Sequence, residues 1–251
     1  MNPKLREAAG TLKSVLGLQT EPVAVKFLTD ATQAQGYEAL PNRRYCQMVM
    51  EARRGRKVVL TADNIACPAA AAVFGFKPLP PKLASGEMLV AFGIFGSPEA
   101  GKATLDSMRR LEPGEYAAVA LSPLETADFE PDVVVVEAAI EQLMWIALAA
   151  KYETGGRAQF TTAILQATCE DTTVLPFLTG DLNATLGCYG CREATDMAQD
   201  EAVIGFPGGM LETVVHGLRE LEHKALPRVR SKSAYHRLAG CSEAGGNTGQ
   251  E

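Results

Sequence analysis

Asp132-Val133-Val134-Val135-Val136, followed without a break by Glu137-Ala138-Ala139-Ile140-Glu141-Gln142-Leu143-Met144-Trp145-Ile146-Ala147-Leu148-Ala149-Ala150-Lys151, decides the fold class. Consecutive β-branched valines with no polar alternation predict a buried strand. The stretch 137–151 is rich in leucine, alanine and glutamate, good helix formers, and predicts a long helix. Glu137, Glu141 and Gln142 interrupt this apolar run, the longest in the chain, so it is not a membrane span.

The same alternation of element types extends outward. Upstream, Tyr116–Leu121 predicts a second buried strand, and Ser97-Pro98-Glu99 opens a helix to about Arg110, with serine as cap and proline in its first turn. Earlier still, Lys57–Thr61 and Val23–Phe27 read as strands and Ala69–Phe74 as a helix stopped by Gly75. Leu5, Ala8, Ala9, Leu12, Val15 and Leu16 recur at helical spacing over residues 4–16. Downstream, Gly155-Gly156 breaks the chain before a strand-like run, Gln159–Leu165. Ala202–Gly205 then turns through Phe206-Pro207-Gly208-Gly209 into a helix over Met210–Ala225. Helices follow strands without strict strand–helix–strand repetition. The expected fold is α/β (α+β): a mixed β-sheet flanked by helices, in a single large domain over residues 1–238 with a flexible tail over 239–251.

Composition narrows the function classes. The chain has 251 residues, 47% hydrophobic and 22% charged, values of an ordinary globular protein. Its net charge of -6 disfavours nucleic acid, which needs a positive footprint. The basic runs Arg53-Arg54-Gly55-Arg56-Lys57 and Arg228-Val229-Arg230-Ser231-Lys232 are expected to be solvated turns. Met1–Glu7 has no apolar run behind its charges, so it is not expected to be a secretory signal. A cytoplasmic, reducing compartment is therefore expected, where the six cysteines are free thiols available as core residues, redox groups or metal ligands.

Gly187-Cys188-Tyr189-Gly190-Cys191-Arg192 carries the chemistry. Two thiols three positions apart can reach one metal through a tight turn, and the flanking glycines let backbone amides approach sulfur. Cys169 stands nineteen residues before Cys188, and Cys46 and Cys67 lie far upstream. Three readings compete. One is a [4Fe–4S] cluster held by the pair and two distant thiols, with Cys67-Pro68 in the manner of ferredoxin-type sites. The second is a structural zinc held by four cysteines, or by three cysteines and a histidine. The third is a metal-free redox pair, with Cys188 attacking and Cys191 resolving. Cys46 and Cys67 taken singly are equally well explained as small core residues, and Cys241 as an exposed thiol without a role.

The stretches Arg44-Tyr45-Cys46-Gln47, Ala66-Cys67-Pro68-Ala69, Ala167-Thr168-Cys169 and Gly187–Arg192, with Ile204-Gly205-Phe206-Pro207-Gly208 beyond them, resemble the domain-of-unknown-function family 169 over residues 5–238. The resemblance implies a prokaryotic protein of a family without a settled activity. It also implies that Cys46, Cys67, Cys169, Cys188 and Cys191 belong to one pattern and Cys241 does not. Five thiols exceed the need of one cubane by one, leaving a spare, a supporting group or a substrate-facing nucleophile.

Other motifs have ordinary explanations. His216 and His223 lack an accompanying carboxylate motif and read as surface residues. The Gly205–Gly209 segment offers an anion-holding helix start, but a plain strand-to-helix connection explains it better. Arg192 either steadies thiolates or is an exposed charge, and Glu170, Asp171 and Glu193 are candidates for proton work. The expected function is an iron–sulfur protein with Cys67, Cys169, Cys188 and Cys191 as ligands and Cys46 as the fifth thiol of the site. It would act in electron transfer with a redox partner protein or in activation of a small-molecule substrate. A homo-oligomer is compatible with the sequence.

Overall fold

Capping chemistry starts the chain. The Asn2 side chain accepts from the Lys4 amide, Pro3 occupies the first turn, and Gly17, at φ +72°, closes the helix in the left-handed region. This α1 (Pro3–Leu16) buries the six residues that the spacing predicts. The structure is a computed structural model describing residues 2–239. The expected tail beyond Ala239, with Cys241, lies outside the described residues.

Six strands form one sheet: β1 (Val23–Leu28), β2 (Val58–Thr61), β3 (Ala118–Pro123), β4 (Val133–Ala139), β5 (Asn183–Thr185) and β6 (Glu201–Pro207), in the order β2-β3-β1-β4-β6-β5. The α/β class holds, in its α+β form. The expected mixed sheet does not form, because every strand pair is antiparallel. Parallel contacts are confined to isolated bridges, Glu38 with Val58 and Arg43 with Ile65. A valine run reports that both faces are covered, and it says nothing of strand direction.

β4 shows both faces at work. Val134, Val136 and Ala138 pack on one side into a core shared with α1 and two later helices, while Val133 and Val135 face the other side. On that second side lie α2 (Tyr45–Arg53), which contributes Tyr45, Met48, Val49 and Ala52, and α3 (Pro68–Val73) with the following Phe74. Next come α4 (Pro81–Ala84), α5 (Glu87–Ala91) and α6 (Pro98–Asp106), which carry a separate small core of Leu83, Leu89 and Leu105 with Met108. Ser97 caps α6 through the Ala100 amide, as its motif predicts. The later helices of the first side are α7 (Ile140–Ala150) and α10 (Leu211–Glu222). Between them fall α8 (Leu175–Thr179) and α9 (Tyr189–Ala194), and after them α11 (Ala225–Arg230) and α12 (Ser233–Leu238). No helix among the described residues is long and apolar enough to cross a membrane.

Three further expectations give way to tertiary structure. Residues 159–165 form no strand, because the Asn183 side chain holds Thr161 at both its N–H and its C=O in place of a ladder. Arg53 is not a solvated turn residue. It is 4% exposed and meets Glu137 at 3.3 Å, Asp196 at 2.7 Å and Glu201 at 3.5 Å. In the second basic run, Arg230 donates to the Val15 and Leu16 carbonyls at the end of α1.

Candidate functional site

The five cysteines from Cys46 to Cys191 all sit in or beside the first turn of a helix. Cys46 is the second residue of α2, and Cys67 is the N-cap of α3, its sulfur accepting from the Ala70 amide at 3.5 Å. Cys188 is the N-cap of α9, its sulfur accepting from the Cys191 amide at 3.3 Å. Cys169 is the third residue of a π-helix over Ala167–Val174, a wide turn that periodicity does not foretell. N–H groups at such turns have no carbonyl partner one turn earlier and are free to meet sulfur.

These elements bring all five thiols to the wall of one cavity of about 470 Å3. The Cys188 and Cys191 sulfurs are 3.2 Å apart, and the Thr168 hydroxyl is 3.1 Å from Cys191 Sγ. Two thiolates on one tetrahedral zinc stand roughly 3.8 Å apart, given zinc–sulfur bonds near 2.3 Å. The pair is therefore in thiol–thiol contact, and one side chain must rotate to share an ion. Among the described residues, no group of three or more His, Cys, Asp or Glu side chains is arranged so as to hold a metal ion.

Electrostatics keep Cys67, Cys169, Cys188 and Cys191 protonated. Burial pushes Cys67 up and Cys169 far up. Cys188 rises because it shares a hydrogen bond with Cys191 and is buried. For Cys191 the bond with Cys188 pulls down, but contact with Cys46 and burial outweigh it and push the thiol up to about 11. None of these four is a ready thiolate at neutral pH.

Arg192 points its guanidinium at the carbonyls of Leu186, Ala198 and Glu201, so it ties down the loops around α9. Glu193 lines the cavity and pairs with Arg44, which also donates to the Gly190 carbonyl. Glu170 accepts from the Arg109 amide, while Asp171 takes the hydroxyls of Thr162 and Thr185; neither lines the cavity. His216 meets Glu153 at the surface and His223 is exposed.

Gly205 carries a role that the turn reading missed. It lies inside β6, and a Cβ there would fall 1.8 Å from the Thr172 carbonyl oxygen. Its bareness lets the cysteine-bearing π-helix rest on the sheet; the signal was a glycine within a strand pattern.

The profile of the domain-of-unknown-function family 169, described as "Uncharacterised ArCR", matches residues 11–217. The chain belongs to this family. It is also 32% identical over 219 residues to the uncharacterized protein MJ0308 of Methanocaldococcus jannaschii, covering 86% of this chain and 94% of that one. No solved structure matches. Within this family fold five cysteines line one cavity.

Proposed function

We propose that this member of the family is a cytoplasmic iron–sulfur protein whose cysteine cavity holds one [4Fe–4S] cluster on Cys67, Cys169, Cys188 and Cys191. Its work would be electron transfer with a partner protein or redox activation of a small substrate. The observation that carries the reading is that five thiols from separate segments line one cavity. The donor set is soft: no histidine stands in that wall, and Glu193 is its carboxylate-bearing residue. Thiolates of this kind select iron–sulfur clusters, zinc or copper(I) over magnesium or calcium.

When bound, such a cluster supplies an electron-transfer couple whose potential depends on hydrogen bonds to sulfur and on exposure. The residues around it have matching tasks. The Ala70 and Cys191 amides already donate to sulfur, and the Thr168 hydroxyl stands beside Cys191. The raised thiol pKa values mean that ligation must displace protons, so affinity rises with pH. Cys46, in contact with Cys191, is the fifth thiol, placed to support the pair or to face a substrate.

A metal-free dithiol is favoured by one observation, the 3.2 Å contact between Cys188 and Cys191. The raised pKa of Cys188 counts against it as an attacking thiol. Anaerobic purification with iron, sulfide and zinc analysis separates the readings. Iron with sulfide is expected, and Cys191→Ser should lose most of both along with the broad visible absorption. Zinc without sulfide makes the centre structural. Full iron retention in Cys191→Ser refutes the ligand assignment, and a trapped mixed disulfide through Cys188 in that variant supports the dithiol.

A further inference from the structure

On the side of the sheet where α1 packs on α10 and α10 on α7, the helix layer ends before the sheet does. α7 rests on β4 and β6, and the sheet runs one strand further, to its edge at β5. That step leaves a groove of about 360 Å3 between the outer flank of α7 and Phe160, Ala184 and Leu186. Beside it Ile140, Met144 and Leu148 recur at every fourth position of α7 and form a ridge. With Phe160 and Leu186, these side chains are 44–62% exposed. Single exposed apolar residues are ordinary, but five large ones on one groove and its ridge mark a surface that meets a partner.

The groove offers a polar ligand little to hold. Its wall has two hydroxyls, Thr162 and Thr185, and both are held by Asp171, at 2.7 and 2.9 Å. Among the described residues no charged side chain lines it. Glu141, the one charged residue of α7, accepts from the Trp145 indole N–H instead. Size points to a protein. Five large side chains about half exposed leave roughly 400–600 Å2 of apolar surface, at about 150–250 Å2 for such a side chain in full. A standard interface takes about 800 Å2 from each partner, about 60% of it nonpolar, or roughly 500 Å2.

We infer that the occupant is a second copy of this chain, in a two-fold dimer where each α7 ridge enters the other copy's groove. Shape and charge both favour a copy. An isologous interface needs knob and hole on one surface, and here ridge and groove lie side by side. Each chain carries a net charge of -6, so two copies repel wherever acidic faces meet. An uncharged face is where they can touch, whereas a basic partner would be met by acidic side chains. The inference goes beyond the cluster proposal and does not need it. Among the described residues, the groove and the cysteine cavity share no lining residue.

Sedimentation velocity on the full chain, purified anaerobically with its metal content recorded, tests this over a range of micromolar concentrations. A monomer–dimer equilibrium is expected, with the dimer fraction rising as salt screens the repulsion between copies. Met144→Lys should raise the dimer Kd at least about thirtyfold, since the two-fold counts each lost apolar contact twice. The same change lowers the net negative charge and puts a lysine three positions after Glu141. Neither general repulsion nor a weakened helix then accounts for the loss. Leu186→Lys, on the far wall, should act likewise; circular dichroism checks that each variant is folded, and should one fail to fold, the other decides. Phe92→Lys, an exposed apolar residue at the cysteine cavity, should leave the dimer intact. An unaltered chain that stays monomeric at every concentration overturns the inference. So does a dimer that persists in either folded lysine variant of the groove, or one lost equally in Phe92→Lys. Protein without iron that dimerises through this face would sink the cluster reading and keep the dimer.

Discussion

Replacing Gly205 with alanine tests the contact that brings the π-helix, and with it Cys169, to the cavity. Gly205 pairs with Val135 of β4 and Asn183 of β5, so its strand is held from both sides. The added Cβ would meet the Thr172 carbonyl oxygen at 1.8 Å and its carbon at 2.6 Å, and the oxygen contact must open to at least 3.0 Å. Both atoms are backbone, so no side-chain rotation relieves the clash. The π-helix is itself tied down: Thr172 and Thr173 hydroxyls donate to the Thr168 carbonyl, and Tyr45 bonds Thr173. The whole turn must therefore shift. Overpacking of this kind costs about 1–3 kcal/mol, and removing a glycine from a strand recovers roughly 0.5–1 kcal/mol. A net loss of about 1–2 kcal/mol is expected, read in urea as a lower midpoint at unchanged slope. Cys169, 7% exposed, should become more reactive toward an aromatic disulfide reagent in the folded protein. Gly209→Ala is the control, because a Cβ there meets nothing within 4 Å, and it should stay within about 0.5 kcal/mol. Equal behaviour of the two variants in both assays would refute the packing argument.

Two other outcomes follow from the buried charges and the cysteine count. Burial pushes Glu137 up to about 7 from its ordinary 4.5; Arg53 pulls it down, and the negative charges of Glu201 and Asp196 add to the rise. The folded state then holds a proton that the unfolded state has released across that window. Stability contributed by this group is present below 4.5 and is lost as pH rises to about 7. Denaturation of Glu137→Gln across the same window should show this part of the slope gone, and an identical slope would show that Glu137 titrates normally. Cys241→Ser should leave metal content and visible absorption unchanged, because the cavity wall already holds five thiols from elsewhere in the chain; loss of iron in that protein would place the tail in the site.

Much of the fold was legible because local patterns report burial. The Val133–Val136 run announced a strand covered on both faces, the spacing of Leu5 to Leu16 marked the buried stripe of α1, and Ser97-Pro98 located the start of α6. Elements were misread where a partner distant in sequence set the outcome. Glu137 was assigned to a helix start but belongs to β4, which runs on to Ala139 while pairing with β6. Residues 159–165 looked like a strand, yet Asn183, twenty-two positions from Thr161, took up the hydrogen bonds a ladder would have used. Arg53 shared its basic run with residues that do reach solvent, and only the approach of Glu137, Asp196 and Glu201 made burial tolerable.

The site divides along the same line. By itself the sequence singled out the cysteine pattern, because a paired thiol motif flanked by glycines is a local pattern and the family's order of motifs is linear. It also determined that strands and helices would share one domain, since hydrophobic periodicity is written residue by residue. Only the tertiary structure decided that the sheet is antiparallel throughout, that α2, α3, α9 and a π-helix turn their first residues to one cavity, and that α7 keeps an apolar groove beside β5. Strand direction, convergence and uncovered faces are relations between segments far apart in the chain. They arise when packing selects one arrangement of faces, and no window of neighbouring residues contains that choice.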